Sequence, residues 1–171
     1  MGLNDYLLLA VISLAAITDL TAGKIYNKLT YPAILVGFLL PAVGGEVGFF
    51  DALAGFLIGF VPLFVVHQMG GIGGGDVKLL GALGALGGYP FILHIMFYSF
   101  LIGGLVSISI IIWEGRLSET LRRMGKNLYF LFIPGTKPMV SNAGYKIPFG
   151  FAISLGTLWA VSLKIFNIVL I

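Results

Sequence analysis

Cysteine is absent from the chain, which excludes disulfides, thiolate zinc sites and a cysteine nucleophile. Charge is scarce: Asp, Glu, Lys and Arg make up 10% of the 171 residues, against about 25% in soluble domains. Histidine occurs only as His67 and His94, which are predicted near opposite membrane faces. No metal cluster can be built from them, both are read as structural, and no cofactor is expected. The opening Met1-Gly2-Leu3-Asn4-Asp5 has no basic residue, unlike the positive start of a secretory leader. The apolar run that follows leads to Asp19 and not to a small-residue cleavage site, so it reads as a retained membrane helix. No Ser/His/Asp arrangement is visible, and no nucleic-acid partner is expected.

What is present is apolar. Hydrophobic residues make up 58% of the chain and the mean hydropathy is +1.05, which marks an integral membrane protein of one domain, 1–171. The predicted fold is all-α and polytopic. Hydropathy and breakers place six transmembrane helices at roughly 4–20, 29–44, 50–68, 76–88, 91–113 and 147–170. With the N-terminus outside, nine of the ten basic residues fall on the cytoplasmic side, and only Lys164 falls opposite. The outer loops then hold Asp5, Glu46 and Asp51. This is a strong positive-inside pattern and predicts an N-out, C-out chain. The basic loop 114–146 carries Leu117, Leu121, Met124, Leu128 and Phe132 among Arg116, Arg122, Arg123 and Lys126. It reads as an amphipathic helix on anionic lipid of the cytoplasmic leaflet.

Two carboxylates stand out against this background. Asp19 closes the first segment. Asp76 follows Gly70-Gly71-Ile72-Gly73-Gly74-Gly75 and opens the fourth. Two crossings separate them, so both return to the cytoplasmic face. The fourth segment is too short to span about 30 Å of hydrocarbon. Either its neighbours bury it or its glycine loop lies at membrane depth. Both options put Asp76 in a partly buried, water-reachable pocket. The glycine run is not a phosphate loop, because Lys78 lacks its glycine and its Ser/Thr neighbour.

Paired carboxylates in one pocket can work as an aspartic protease: the ionised one takes a proton from water and the protonated one polarises a carbonyl. Glycines reach positive φ and let a substrate backbone approach without Cβ atoms in the way. The plain alternative is that Asp76 only caps a helix and that Asp19 marks a helix end.

The residues resemble the type IV prepilin peptidases. Gly73-Gly74-Gly75-Asp76 fits the GxGD pattern of membrane aspartic proteases. Asp76-Val77-Lys78-Leu79-Leu80-Gly81 matches the family's second aspartate element. Asp19-Leu20-Thr21 with Asn27-Lys28-Leu29-Thr30 matches the first, with Tyr26 where the family has proline. Lys146-Ile147-Pro148-Phe149-Gly150 matches the start of the last helix. The resemblance implies an endopeptidase of the inner membrane whose site faces the cytoplasm. Its partner would be a prepilin-like or preflagellin-like substrate with a short basic leader. Asp19 and Asp76 would be catalytic, Gly73, Gly74 and Gly75 would shape the loop, and Asn27 and Lys78 would orient substrate or tune the pair. Without paired cysteines, and with nothing ahead of the first helix, the chain is expected to be a peptidase-only form, as in Flp/Tad or preflagellin systems. The competing reading is a small transporter or channel subunit whose two aspartates bind cations or relay protons. No internal repeat supports it.

Overall fold

The computed structural model describes residues 2–68, 72–113, 115 and 149–166. Among the described residues there are six α-helices: α1 (Leu3–Ala22), α2 (Asn27–Leu39), α3 (Phe49–Gln68), α4 (Gly74–Gly87), α5 (Phe91–Trp113) and α6 (Phe149–Ile165), with a 3-10 turn over Leu40–Val43. The chain divides into two units, Met1–Gly103 with Pro148–Ile171, and Gly104–Ile147. The described part of the second is the last stretch of α5 and Gly115. The expected amphipathic helix in 114–146 lies outside the described residues, as do the first two and last few residues of the predicted sixth segment.

Helices α1, α3 and α5 are long and apolar enough to cross a membrane, while Asn27–Val43 and Phe149–Ile165 are shorter apolar helices. Their outward residues are large and apolar: Leu14 and Ile17 on α1, Val61 and Val65 on α3, Phe97 and Leu101 on α5 are all exposed. Apolar surface on this scale calls for a lipid solvent rather than water.

Helix α4 is the opposite case. Val77 and every residue from Leu79 to Leu86 are buried, so it is apolar on every side and enclosed on every side. Fourteen residues at 1.5 Å rise give about 21 Å, short of a bilayer's apolar core. Of the two options its length leaves open, burial by neighbours is the one found. The core around it is built from Leu8, Val11 and Ile12 of α1, Leu63 of α3, Ile92 and Ile95 of α5, and Ile153 and Val161 of α6.

Glycines set the closest of these contacts. A Cβ on Gly55 of α3 would overlap the carbonyl oxygen of Gly84 on α4, and one on Gly84 would overlap that of Gly55. One turn further along, a Cβ on Gly59 would lie 2.5 Å from Leu80 O. Small residues bring two helix backbones together in this way where the solvent is lipid.

Polar contacts collect at the helix ends. Away from Asp19, the buried Asn4 side chain donates to Leu86 O at 2.8 Å, and Lys164 Nζ meets Asp5 Oδ1 at 2.7 Å. Asp5 and Lys164 therefore share an end, as their predicted side requires. Asp5 is not on an outer loop, however. It lies inside the first turn of α1 and is 3% exposed, because pairing makes its burial tolerable.

Candidate active site

Asp19 occupies the last turn of α1. The helix stops three residues later because Gly23 takes the left-handed conformation (φ 60°) and its amide donates to Asp19 O at 2.8 Å. This is a common C-terminal stop that needs glycine. The Asp19 side chain is 8% exposed. Its Oδ2 accepts the amide of Phe151 at 3.0 Å, in the first turn of α6. A helix N-terminus leaves such amides unpaired and carries partial positive charge. Ser154 Oγ, one turn on, lies 3.0 Å from Ile12 O and 2.9 Å from Gly150 O, which ties α6 to α1 beside the carboxylate.

Asp76 is half-buried at the third position of α4. The N-cap is Gly73, whose carbonyl accepts the Asp76 amide at 3.1 Å. Asp76 is therefore not the cap, and the plain alternative for it does not hold. It too sits on a helix N-terminus, so each carboxylate has the positive end of a helix against it, worth about 0.3–1 kcal/mol at an exposed site.

The link between the two is Ile25, in the short stretch between α1 and α2. A Cβ on Gly75, the neighbour of Asp76, would lie 3.1 Å from Ile25 Cβ and 3.2 Å from Ile25 O. A Cβ on Gly150 would lie 2.6 Å from Ile25 Cδ1 and 2.9 Å from Asp19 Oδ2. One side chain thus packs against the approach to Asp76 and against the seat of Asp19, which gathers the two aspartate loops and the start of α6 at one end of the helices.

The glycine loop needs glycine for a different reason than expected. Positive φ is found at Gly23, Gly44, Gly88 and Gly115 among the described residues, and not at Gly73, Gly74 or Gly75: Gly73 has φ −69°. Close approach is what excludes a side chain there. A Cβ on Gly73 would lie 2.8 Å from Asp76 Oδ2, and one on Gly74 would lie 3.3 Å from the ring of His67.

Lys78 and Asn27 also meet. Lys78 Nζ donates to Asn27 Oδ1 at 2.8 Å and stands over the Tyr31 ring, 5.0 Å from its centroid. The contact joins the second turn of α4 to the first two turns of α2. Tyr26, where the resembled family has proline, takes φ −80° and ψ 139°, a conformation open to proline as well. The exchange therefore leaves the backbone of this stretch as proline would have set it.

The predicted topology puts Ile25, His67, Gly150 and Phe151 at this end, but sequence reasoning gives none of them a task in the site. Ile25 and Gly150 lie within elements that match the resembled family, whereas the role of a Phe151 amide is invisible in residue types and His67 is read there as structural.

A model of the type IV leader peptidase family matches residues 6–108, more than half of the chain, from α1 through most of α5. Three curated relatives are proteins named prepilin leader peptidase/N-methyltransferase. The one from Vibrio cholerae serotype O1 is 31% identical over 50% of this chain and 37% of its own length. The one from Aeromonas hydrophila is 32% identical over 55% and 35%. The one from Bacillus subtilis (strain 168) is 30% identical over 65% and 45%. The chain thus spans less than half the length of these relatives. No solved structure matches it. With both aspartate elements inside the matched region, the chain belongs to the type IV leader peptidase family.

Proposed function

We propose that this chain is an aspartic endopeptidase that removes a short basic leader from prepilin-like membrane substrates, with Asp19 and Asp76 as its catalytic pair. The observation that carries the reading is a convergence of two buried or half-buried carboxylates at one end through Ile25, Asp76 in the first turn of α4 and Asp19 in the last turn of α1 against the first turn of α6. In the mechanism one carboxylate is ionised and removes a proton from water, and the water oxygen attacks the scissile carbonyl carbon. The other carboxylate is protonated and donates its proton to the developing oxyanion. The first carboxylate then passes the water proton to the amide nitrogen while the second takes a hydroxyl proton back from the tetrahedral intermediate, so that the C–N bond breaks and the pair returns to one ionised and one protonated member. In this reading Gly73, Gly74 and Gly75 shape the loop by letting Asp76, His67 and Ile25 pack against it, and the Lys78–Asn27 contact holds α4 to α2.

The proposed arrangement in the membrane is six spans with N-out and C-out ends, in one domain of residues 1–171 in the inner membrane. The site faces the cytoplasm and the basic loop 114–146 rests on the same leaflet. The lysine and arginine distribution supports this, as does the grouping of Asp5 and Lys164 at the end away from Asp19.

The test is coexpression with a prepilin carrying a basic leader, read as a mobility shift. Asp19→Asn and Asp76→Asn keep size and some hydrogen bonding but cannot exchange the proton. Each is expected to leave the precursor uncleaved at normal expression. Normal processing by either variant removes the pair from the mechanism.

A further inference from the structure

His67 is the one imidazole at this end of the helices, and the peptidase reading gives it no task. It sits in the last turn of α3, and its Nδ1 lies 2.7 Å from Ile72 O. A carbonyl oxygen only accepts, so Nδ1 carries the proton and donates. The ring's Cε1 and Nε2 lie 3.3 Å from where a Cβ on Gly74 would stand. The same imidazole therefore grips the loop at Ile72 and closes against it at Gly74, the residue two before Asp76.

The ring is itself well supported. Phe56, Phe60 and Phe64 stack along α3 with centroids 5.3 and 5.4 Å apart, and Phe64 leaves its ring 6.4 Å from that of His67. Below them the Gly55–Gly84 and Gly59–Leu80 contacts lock α3 against α4. The donor is thus mounted on the helix that is fixed against the helix carrying Asp76, while Ile72 lies in neither helix and Gly73 joins α4 through its carbonyl, which accepts the Asp76 and Val77 amides.

We infer that His67 is a positioning residue for Asp76: its Nδ1–H holds Ile72 O and thereby sets where α4 begins and where the Asp76 carboxylate stands. The inference rests on the peptidase reading and adds to it a residue that touches neither substrate nor the reacting atoms.

The chemistry suggests a graded test. The side-chain nitrogen of asparagine lies at the same number of bonds from Cβ as Nδ1, whereas that of glutamine lies one bond further. Cleavage of a prepilin precursor is followed with the full-length protein in detergent, comparing His67→Leu, His67→Asn and His67→Gln. His67→Leu is expected to lower kcat by at least about tenfold with KM little changed, because a misplaced reacting group slows the chemical step and leaves binding in place. His67→Asn is expected to regain most of the loss, and His67→Gln little of it. Parental cleavage by His67→Leu, or equal activity of the Asn and Gln variants, overturns the inference. If the Leu variant loses its folded elution peak, the Asn and Gln pair alone decides. Failure of the peptidase reading looks different: the parent does not cleave, or Asp19→Asn and Asp76→Asn cleave as well as the parent, and the inference falls with it.

Discussion

Helix α1 carries a buried carboxylate at each end, and the two are treated differently. Asp5, 3% exposed, is neutralised in place. Lys164 Nζ lies 2.7 Å from one oxygen, the Gly2 amide donates to the other at 3.1 Å, and the ammonium also stands 5.5 Å from the Phe91 ring centroid. Asp19, 8% exposed, accepts the Phe151 amide, and among the described residues no cation is paired with it. Burial alone penalises both charges, so burial does not separate Asp5 from Asp19, the carboxylate proposed to react. The partner does. A carboxylate closed by an ammonium fixes helices to one another. On the peptidase reading, a carboxylate held by an amide at a helix start, with no cation on it among the described residues, stays available for the chemistry.

The sharpest way to break this contrast is to remove one charge at a time. Asp19→Asn is expected to lower prepilin cleavage by about 10²–10⁴-fold, the usual worth of a general acid or base, with unfolding in detergent unchanged. Asp5→Asn is expected to do the reverse, keeping cleavage and losing about 1 kcal/mol of stability with its charge-assisted hydrogen bond. Equal loss of activity in both would mean that the two ends are not distinct in function.

Next in size are the glycines that crowd the pair. Gly75→Val would drive a branched side chain into Ile25, and Gly150→Ala would press a methyl on Asp19 Oδ2. Each is expected to cost on the order of 10²-fold in rate, in keeping with displacement of a reacting group by about 1 Å. Gly104→Ala is the control, since a Cβ there meets nothing within 4 Å. Parental rates from Gly75→Val and Gly150→Ala together would leave Ile25 as mere packing.

A smaller effect is expected on stability from the other end. Lys164→Met strands Asp5 without its ammonium. Because Lys164 is 37% exposed, the loss is discounted to about 1–3 kcal/mol, or a few degrees in Tm at about 2–4 °C per kcal/mol for a chain of this size. Asp5→Asn in the same chain is expected to recover part of it, and a double-mutant cycle measures the coupling. The least disturbing experiment sharpens orientation. Single cysteines introduced at Glu46 or Asp51 are expected to react with an impermeant thiol reagent from outside, and those at Arg122 or Lys126 are not. The opposite pattern would turn the site to the other side of the membrane.

Much of this was legible in the sequence, in places for stated physical reasons. Residues 91–113 are read to the residue because Pro90 and Trp113 bracket an unbroken apolar run, and α5 is Phe91–Trp113. The second segment was read to 44, but Pro41 breaks the helical ladder and the chain continues from Leu40 to Val43 as a 3-10 turn. Helix α4 was read from Asp76 and begins at Gly74. Glycine costs about 1 kcal/mol in a helix relative to alanine, so propensity argued for a later start. Packing of Gly74 on His67 and of Gly75 on Ile25 overrides it. The aspartates could be singled out from residue types and Asn27 and Lys78 through the family resemblance, while the contact between those two could not. The Phe151 amide could not, because a backbone donor has no letter of its own.

The enclosure of α4 bears on how the protein is made. A segment of about 21 Å with no lipid-facing side has little reason to stay in a bilayer by itself. It can settle only against partners already there, and the nearest in sequence is α3, which is apolar and long enough to cross alone. The Gly55–Gly84 seam therefore reads as an instruction for biogenesis: the two helices enter as a hairpin, and the remaining helices close round it. A methyl group at Gly84, far along α4 from either aspartate, should show itself first as protein cleared by the cell's quality control, before any enzyme exists whose rate could be measured.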